Sequence, residues 1–117
     1  MKYLELFNEN QKKDLLKLLE EYDLTLKSLD YPFSEFSAKE YTIVWGDQIF
    51  FIIKDNKIVF YSLESSERIW VAYNKDYNLI EVVCMEDINS EVNSYMFDCN
   101  KGKFIQFNYV DGNHFNW

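Results

Sequence analysis

The single histidine of this chain, His114, follows Asp111 by three residues in the run Asp111-Gly112-Asn113-His114. An aspartate beside an imidazole can orient it as a general base. Covalent catalysis also needs a nucleophile, and no Ser or Cys stands in a motif that would bring one to His114. Asp111, Asn113 and His114 are too few to complete the coordination shell of a divalent cation. The carboxylate pairs are Glu20-Glu21, Glu64 and Glu67 around Ser65-Ser66, and Glu86-Asp87. Acid–base work by such a pair requires one carboxyl to be desolvated and to face its mate across a cleft. These pairs instead lie among polar neighbours that keep them hydrated. Cys84 and Cys99, with one histidine, match no four-ligand zinc spacing and read as reduced, structural thiols. With three glycines in all, there is no glycine-rich loop to cradle a phosphate. The expectation is a protein that is not an enzyme, carries no metal or cofactor, and works by binding.

Composition narrows what it binds. The 117 residues hold 12 Lys+Arg against 20 Asp+Glu, a net charge of −8. Neutralising phosphates takes a surplus of cations, so nucleic acid is excluded as a partner, and anionic membrane surfaces with it. An apolar fraction of 48%, including 10 Phe, 9 Tyr and 3 Trp, is too high for an acidic disordered chain and enough for a core. One α+β domain over residues 1–117 is expected. The first ten residues interleave Glu and Asn with apolar positions and so lack the unbroken stretch of a signal peptide, which points to the cytoplasm.

The elements follow from periodicity. Asn8 with Gln11 three residues on forms a capping-box pattern, and Leu15, Leu18, Leu19 and Tyr22 then recur on one helical face. Leu26 and Leu29 continue that face if the helix passes Asp23, although 24–26 also reads as a short strand. Pro32 ends either version. A short second helix is expected near 34–39. From residue 41 the pattern is β: runs at 41–45, 48–54, 57–62, 68–73, 78–85, 92–98 and 103–110. They are punctuated by Gly46-Asp47, Asp55-Asn56, Asn74-Lys75-Asp76 and Asn100-Lys101-Gly102, which is turn chemistry. Short connections require antiparallel pairing. The expected architecture is an N-terminal amphipathic helix on a curved antiparallel sheet of six to seven strands, a meander or partial barrel. Strands 49–53 and 58–61 are apolar on both faces, so one helix leaves their second face to be closed, exposed, or used to line a ligand cavity. In the last strand Ile105, Phe107 and Tyr109 oppose Gln106 and Asn108, the former set reading as inward.

Charge is unevenly placed. Residues 62–98 carry eight carboxylates against Arg68 and Lys75, a net −6, interleaved with Trp and Tyr. Carboxylates steer a basic protein into contact and aromatic rings anchor it. The candidate partner-binding residues are therefore Glu64, Glu67, Trp70, Tyr73, Asp76, Tyr77, Glu81, Glu86, Asp87 and Glu91. The bland reading of the same segment is a solvated face that keeps a sticky β protein in solution.

In this overall character, though in no specific motif, the chain resembles the small acidic immunity proteins that bacteria encode beside polymorphic or contact-dependent toxins. The resemblance implies a cytoplasmic inhibitor that covers the active site of a cognate basic toxin domain, such as a nuclease. It assigns no residue. A phage-encoded inhibitor similar to anti-CRISPR proteins fits the same profile, as does a small-ligand-binding curved sheet; an enzyme using Asp111 and His114 is the third class.

Overall fold

The computed structural model describes residues 2–63, 68–85 and 91–111. Among them are one α-helix and eight strands in two four-stranded antiparallel sheets, an α+β architecture.

The helix α1 (Glu9–Glu21) begins as its sequence dictates. The Asn8 side chain accepts from the Gln11 amide at 2.8 Å, and Gln11 Oε1 accepts from the Asn8 amide at 2.9 Å, which satisfies two amides that the first turn leaves orphaned. Gln11 then donates to the Ile58 carbonyl at 2.9 Å, so the cap also ties the helix to its sheet. Leu15 and Leu19 are fully buried. The helix does not continue to Leu29: Asp23 adopts a left-handed φ of 59°, which reverses the chain, and Leu26–Leu29 is a separate 3-10 turn.

The first sheet contains β1 (Ser34–Ala38), β2 (Tyr41–Trp45), β3 (Ile49–Lys54) and β4 (Lys57–Leu63) in that order. Residues 34–38 are thus a strand, not the second helix expected there. Their pairing with β2, from Ser34↔Trp45 to Ala38↔Tyr41, supplies ladder bonds that five residues could not make as an isolated helix. The β3–β4 turn has φ of 53° at Asp55 and 59° at Asn56, the paired left-handed geometry of a two-residue hairpin. At the β2–β3 turn Gly46 lies under the Tyr31 ring, where a Cβ would come within 2.7 Å of Tyr31 Cζ.

The second sheet contains β5 (Arg68–Asn74), β6 (Leu79–Met85), β7 (Glu91–Asp98) and β8 (Lys103–Asp111), also in chain order. The single curved sheet of six to seven strands is therefore corrected to two sheets of four. Both faces of β3 are apolar because each has its own cover. Val44, Ile49, Phe51, Ile58 and Leu63 pack with Leu15, Leu19, Leu29, Tyr3 and Phe7 from the helical layer. Ile43, Phe50 and Ile52 pack with Ile69, Ile80, Val82 and Phe97 from the second sheet. Aromatic rings bridge the two sheets across their width: Phe36 to Tyr73 at 5.2 Å, Tyr41 to Phe97 at 5.0 Å, Phe50 to Tyr95 at 5.2 Å and Phe60 to Phe104 at 4.4 Å. The layers run helix, first sheet, second sheet.

Two bulges change the expected faces. The β3–β4 register slips so that Ile52 pairs Phe60 while Ile53 pairs Ile58, and the extra residue, Val59, is exposed. The β7–β8 register slips so that Met96 pairs Gln106 while Phe97 pairs Phe104. The extra residue there is Ile105, which is exposed while Phe104 turns inward, so Ile105 departs from the inward position read for it, whereas Phe107 still pairs with the inward-facing Tyr95. Both bulges sit on edge strands, where added twist discourages pairing with another chain.

Two tyrosines buckle the helical layer onto the first sheet. Tyr3 donates its hydroxyl to Glu35 on β1, and Tyr61 on β4 donates to Asp14 on α1. Burial, and then the carboxylate that accepts each proton, push both hydroxyls up to about 12. The folded state thus holds these protons more tightly than the unfolded chain, where tyrosine titrates near 10. The contribution of the pair is fully present and independent of pH below that value, and it is lost as pH rises from about 10 to about 12. Denaturant titrations across this window, with tyrosinate absorbance followed in parallel, should show the decline. Tyr3→Phe and Tyr61→Phe together should flatten it; an equally steep decline in the double variant would reject these clamps as its source.

Candidate protein-binding face

The outer face of the second sheet is the one broad sheet surface on which no described element packs. Strand alternation sets which residues it presents. On β5 the outward positions are Arg68, Trp70, Ala72 and Asn74, and the inward ones are Ile69, Val71 and Tyr73. Register then aligns Trp70 with Val83 and Ser94, and Ala72 with Glu81 and Met96. Trp70 is 40% exposed beside Val83, which is buried.

At one end of this face the β5–β6 hairpin forms a polar rim. Asn74 Oδ1 accepts from the amides of Asp76 at 3.0 Å and Tyr77 at 3.2 Å, an Asx turn that holds Asp76 on the surface and leaves Tyr77 70% exposed. Ala72, Tyr73, Asn74, Lys75, Asp76, Leu79, Glu81 and Met96 line a cleft of about 440 Å³ there, open to solvent. Its apolar floor can take an aliphatic stem, and its rim carries Lys75 as well as the two carboxylates, so it offers polar groups of both signs.

The candidate residues therefore divide. Trp70, Asp76, Tyr77 and Glu81 share the outer face or its rim. Tyr73 borders the cleft, but its ring is not presented on the face: it packs on Phe36 between the sheets and its hydroxyl donates to Asn78 Oδ1 at 2.6 Å. Trp70 and Tyr73 are an odd number of residues apart on one strand, and period-two alternation alone separates them. Glu91 opens β7 and pairs in register with Asp111. Glu64, Glu67, Glu86 and Asp87 lie outside the described residues. Within the described part of the face, Asp76 and Glu81 stand against Arg68, Lys75 and Lys103, so it is mixed in charge. Asp98 is occupied structurally, its Oδ1 accepting from the amides of Asn100 at 2.8 Å and Lys101 at 3.2 Å.

Residues that sequence reasoning missed are Ala72, Asn74, Lys75, Leu79 and Met96, which complete the cleft. The outward parity of Ala72 and Asn74 was legible from Trp70, whereas Met96 arrives only through the β6–β7 register.

The other reactive groups are dispersed. Cys84 and Cys99 form no disulfide and are buried at opposite ends of the second sheet, and burial, then Asp98, push the Cys99 thiol up while Lys39 opposes. Asp111 ends β8, and His114 lies outside the described residues. Among the described residues, no cluster of three or more His, Cys, Asp or Glu is placed to hold a metal ion. No described helix is long and apolar enough to cross a membrane. Compared with protein-family models, curated proteins and solved structures, the chain matches none.

Proposed function

We propose that this chain is a cytoplasmic, non-enzymatic inhibitor of the immunity type, which docks a basic toxin domain onto the outer face of the second sheet and occludes its active site. The observation that carries the reading is that Trp70 and Tyr77 are exposed on this face and its rim, on the same hairpin as Asp76 and Glu81, and that no described element packs there. Trp70 and Tyr77 offer aromatic anchors, Asp76 and Glu81 offer acceptors to a cationic side chain, and the steering charge in this reading is that of residues 62–98 as a whole, net −6. Glu64, Glu67, Glu86, Asp87 and Glu91 contribute to the same field in this reading, and neither nucleic acid nor membrane is a partner.

The reading requires a toxin domain to be encoded beside this chain, and that domain supplies the test. An excess of the protein should abolish toxin activity, and unchanged activity would sink the proposal. Trp70→Ala and Tyr77→Ala should each weaken the complex by roughly tenfold to a hundredfold through faster dissociation. Asp76→Lys with Glu81→Lys should instead slow association and reduce its dependence on salt. Thermal melts on the free variants separate these effects from loss of fold.

A further inference from the structure

The helical layer carries a second surface, on the opposite side of the molecule from the face just described. Leu16 is 49% exposed on α1, although Leu15 and Leu19 beside it are fully buried. With Leu19, Glu20, Asp23, Leu24 and Leu26 it lines a groove of about 440 Å³ where α1 ends and the chain turns into the 3-10 turn Leu26–Leu29.

Charge along α1 is ordered. Lys12, Lys13 and Lys17 precede Glu20, Glu21 and Asp23. Leu16 has Lys13 three residues before it and Glu20 four residues after it, a spacing that places all three on one flank of the helix. Among the described residues the ion pairs are Lys12 with Glu9 and Lys54 with Glu40, so Lys13 and Glu20 have no such partner there. The last turn contains no basic residue, and its carboxylates lie at the negative end of the helix dipole, where they are disfavoured.

This pattern is complementary to itself when reversed. We infer that a second copy of this chain docks on this flank, with the two α1 helices antiparallel, Leu16 against Leu16, and Lys13 of each copy against Glu20 of the other. Antiparallel packing is the two-fold, isologous arrangement in which one patch satisfies both copies. It brings a lysine to each helix C-terminus and sets the two helix dipoles in opposition, which is favourable. A single helix flank is small against the roughly 800 Å² per partner of a standard interface. The dimer is accordingly a weak one, with a dissociation constant on the order of micromolar to hundreds of micromolar. It leaves both outer sheet faces pointing away, so one dimer would present two copies of that face. The inference does not rest on the proposed inhibitor function.

Sedimentation velocity over about 1 µM to 1 mM protein, a range set by that affinity, tests it. The wild-type chain should pass from monomer to dimer within the range, and Leu16→Glu, an exposed change to a good helix former, should raise the dissociation constant at least about tenfold. Lys13→Glu and Glu20→Lys should each weaken self-association because each places like charges together twice. Mixing the two variants should restore dimers at moderate salt, since both contacts then become complementary. A chain that stays monomeric throughout overturns the inference. So does a dimer indifferent to Leu16→Glu, or a mixture of the charge variants no better than either alone.

Discussion

Replacing Phe50 or Phe51 with alanine should each lower the unfolding free energy by about 3–5 kcal/mol, through damage to different layers. The two rings are neighbours in sequence, both fully buried, and they point to opposite faces of β3. Phe50 packs on Phe60 at 5.7 Å and Tyr95 at 5.2 Å, between the sheets. Phe51 packs on Tyr3 at 5.2 Å, Phe7 at 5.7 Å and Phe33 at 5.9 Å, under the helical layer. Neither cavity collapses easily, because its walls are held by strand ladders or by several interlocked rings. Urea titration should show the loss as a lower midpoint, and hydrogen exchange should separate the two variants. Phe51→Ala should expose the amides of α1 by local opening while the second sheet keeps its protection, whereas Phe50→Ala should loosen both sheets together. A loss below about 1 kcal/mol in either, under the range for a buried Phe→Ala change, would mean that the site repacks and that the layered core is misdescribed.

The second large effect is expected at Asn78, a polar side chain only 4% exposed with a left-handed φ of 54°. Its Oδ1 accepts from the Tyr73 hydroxyl at 2.6 Å and its Nδ2 donates to Asn100 Oδ1 at 3.0 Å, while its carbonyl accepts from the Cys99 amide at 3.0 Å. Lys39, at the β1–β2 turn, reaches the same Asn100 oxygen at 3.4 Å, so three turns from both sheets meet on this side chain and its neighbour. Asn78→Ala places a Cβ-bearing residue without a compensating polar group in the left-handed region and strips partners from Tyr73 and Asn100. The sum is about 3 kcal/mol. Asn78→Gly should recover the backbone part, roughly 1 kcal/mol, and leave the rest. Asn78→Asp retains the acceptor for Tyr73 while losing the donor to Asn100, and should fall between wild type and Asn78→Ala. If Asn78→Gly matched wild type in denaturant midpoint, the side-chain network would contribute nothing and only the backbone conformation would matter.

Local chemistry was readable wherever a residue satisfies its own neighbours. The Asn8–Gln11 box, the hairpin at Asp55-Asn56 and the Asn74 turn are bonds between groups at most three residues apart, and the seven expected β runs all became strands. Residues 34–38 were misread because Ser34-Glu35-Phe36-Ser37-Ala38 has no alternation strong enough to declare itself, and only the ladder with β2 makes it extended. The candidate face was half legible. Trp70, Asp76, Tyr77 and Glu81 fall together there, while Tyr73 is drawn between the sheets by Phe36.

Taken by itself, the sequence determined that this chain folds around aromatic and β-branched residues, that its strands pair antiparallel, and that one amphipathic helix starts at Asn8. It also showed that β3 is apolar on both faces, Ile49 to Ile53 at every position, and left open whether the second face is closed, exposed or lines a cavity. What covers the second side was decided only in three dimensions. Period-two alternation identifies a face but not its partner, and a sheet that closes on itself and a sheet that packs on another satisfy the same pattern. Splitting the strands into two sheets of four lets Phe36, Tyr41, Phe50 and Phe60 meet Tyr73, Phe97, Tyr95 and Phe104. That packing consumes the second face of β3 and leaves the outer face of β5–β8 without a covering layer among the described residues.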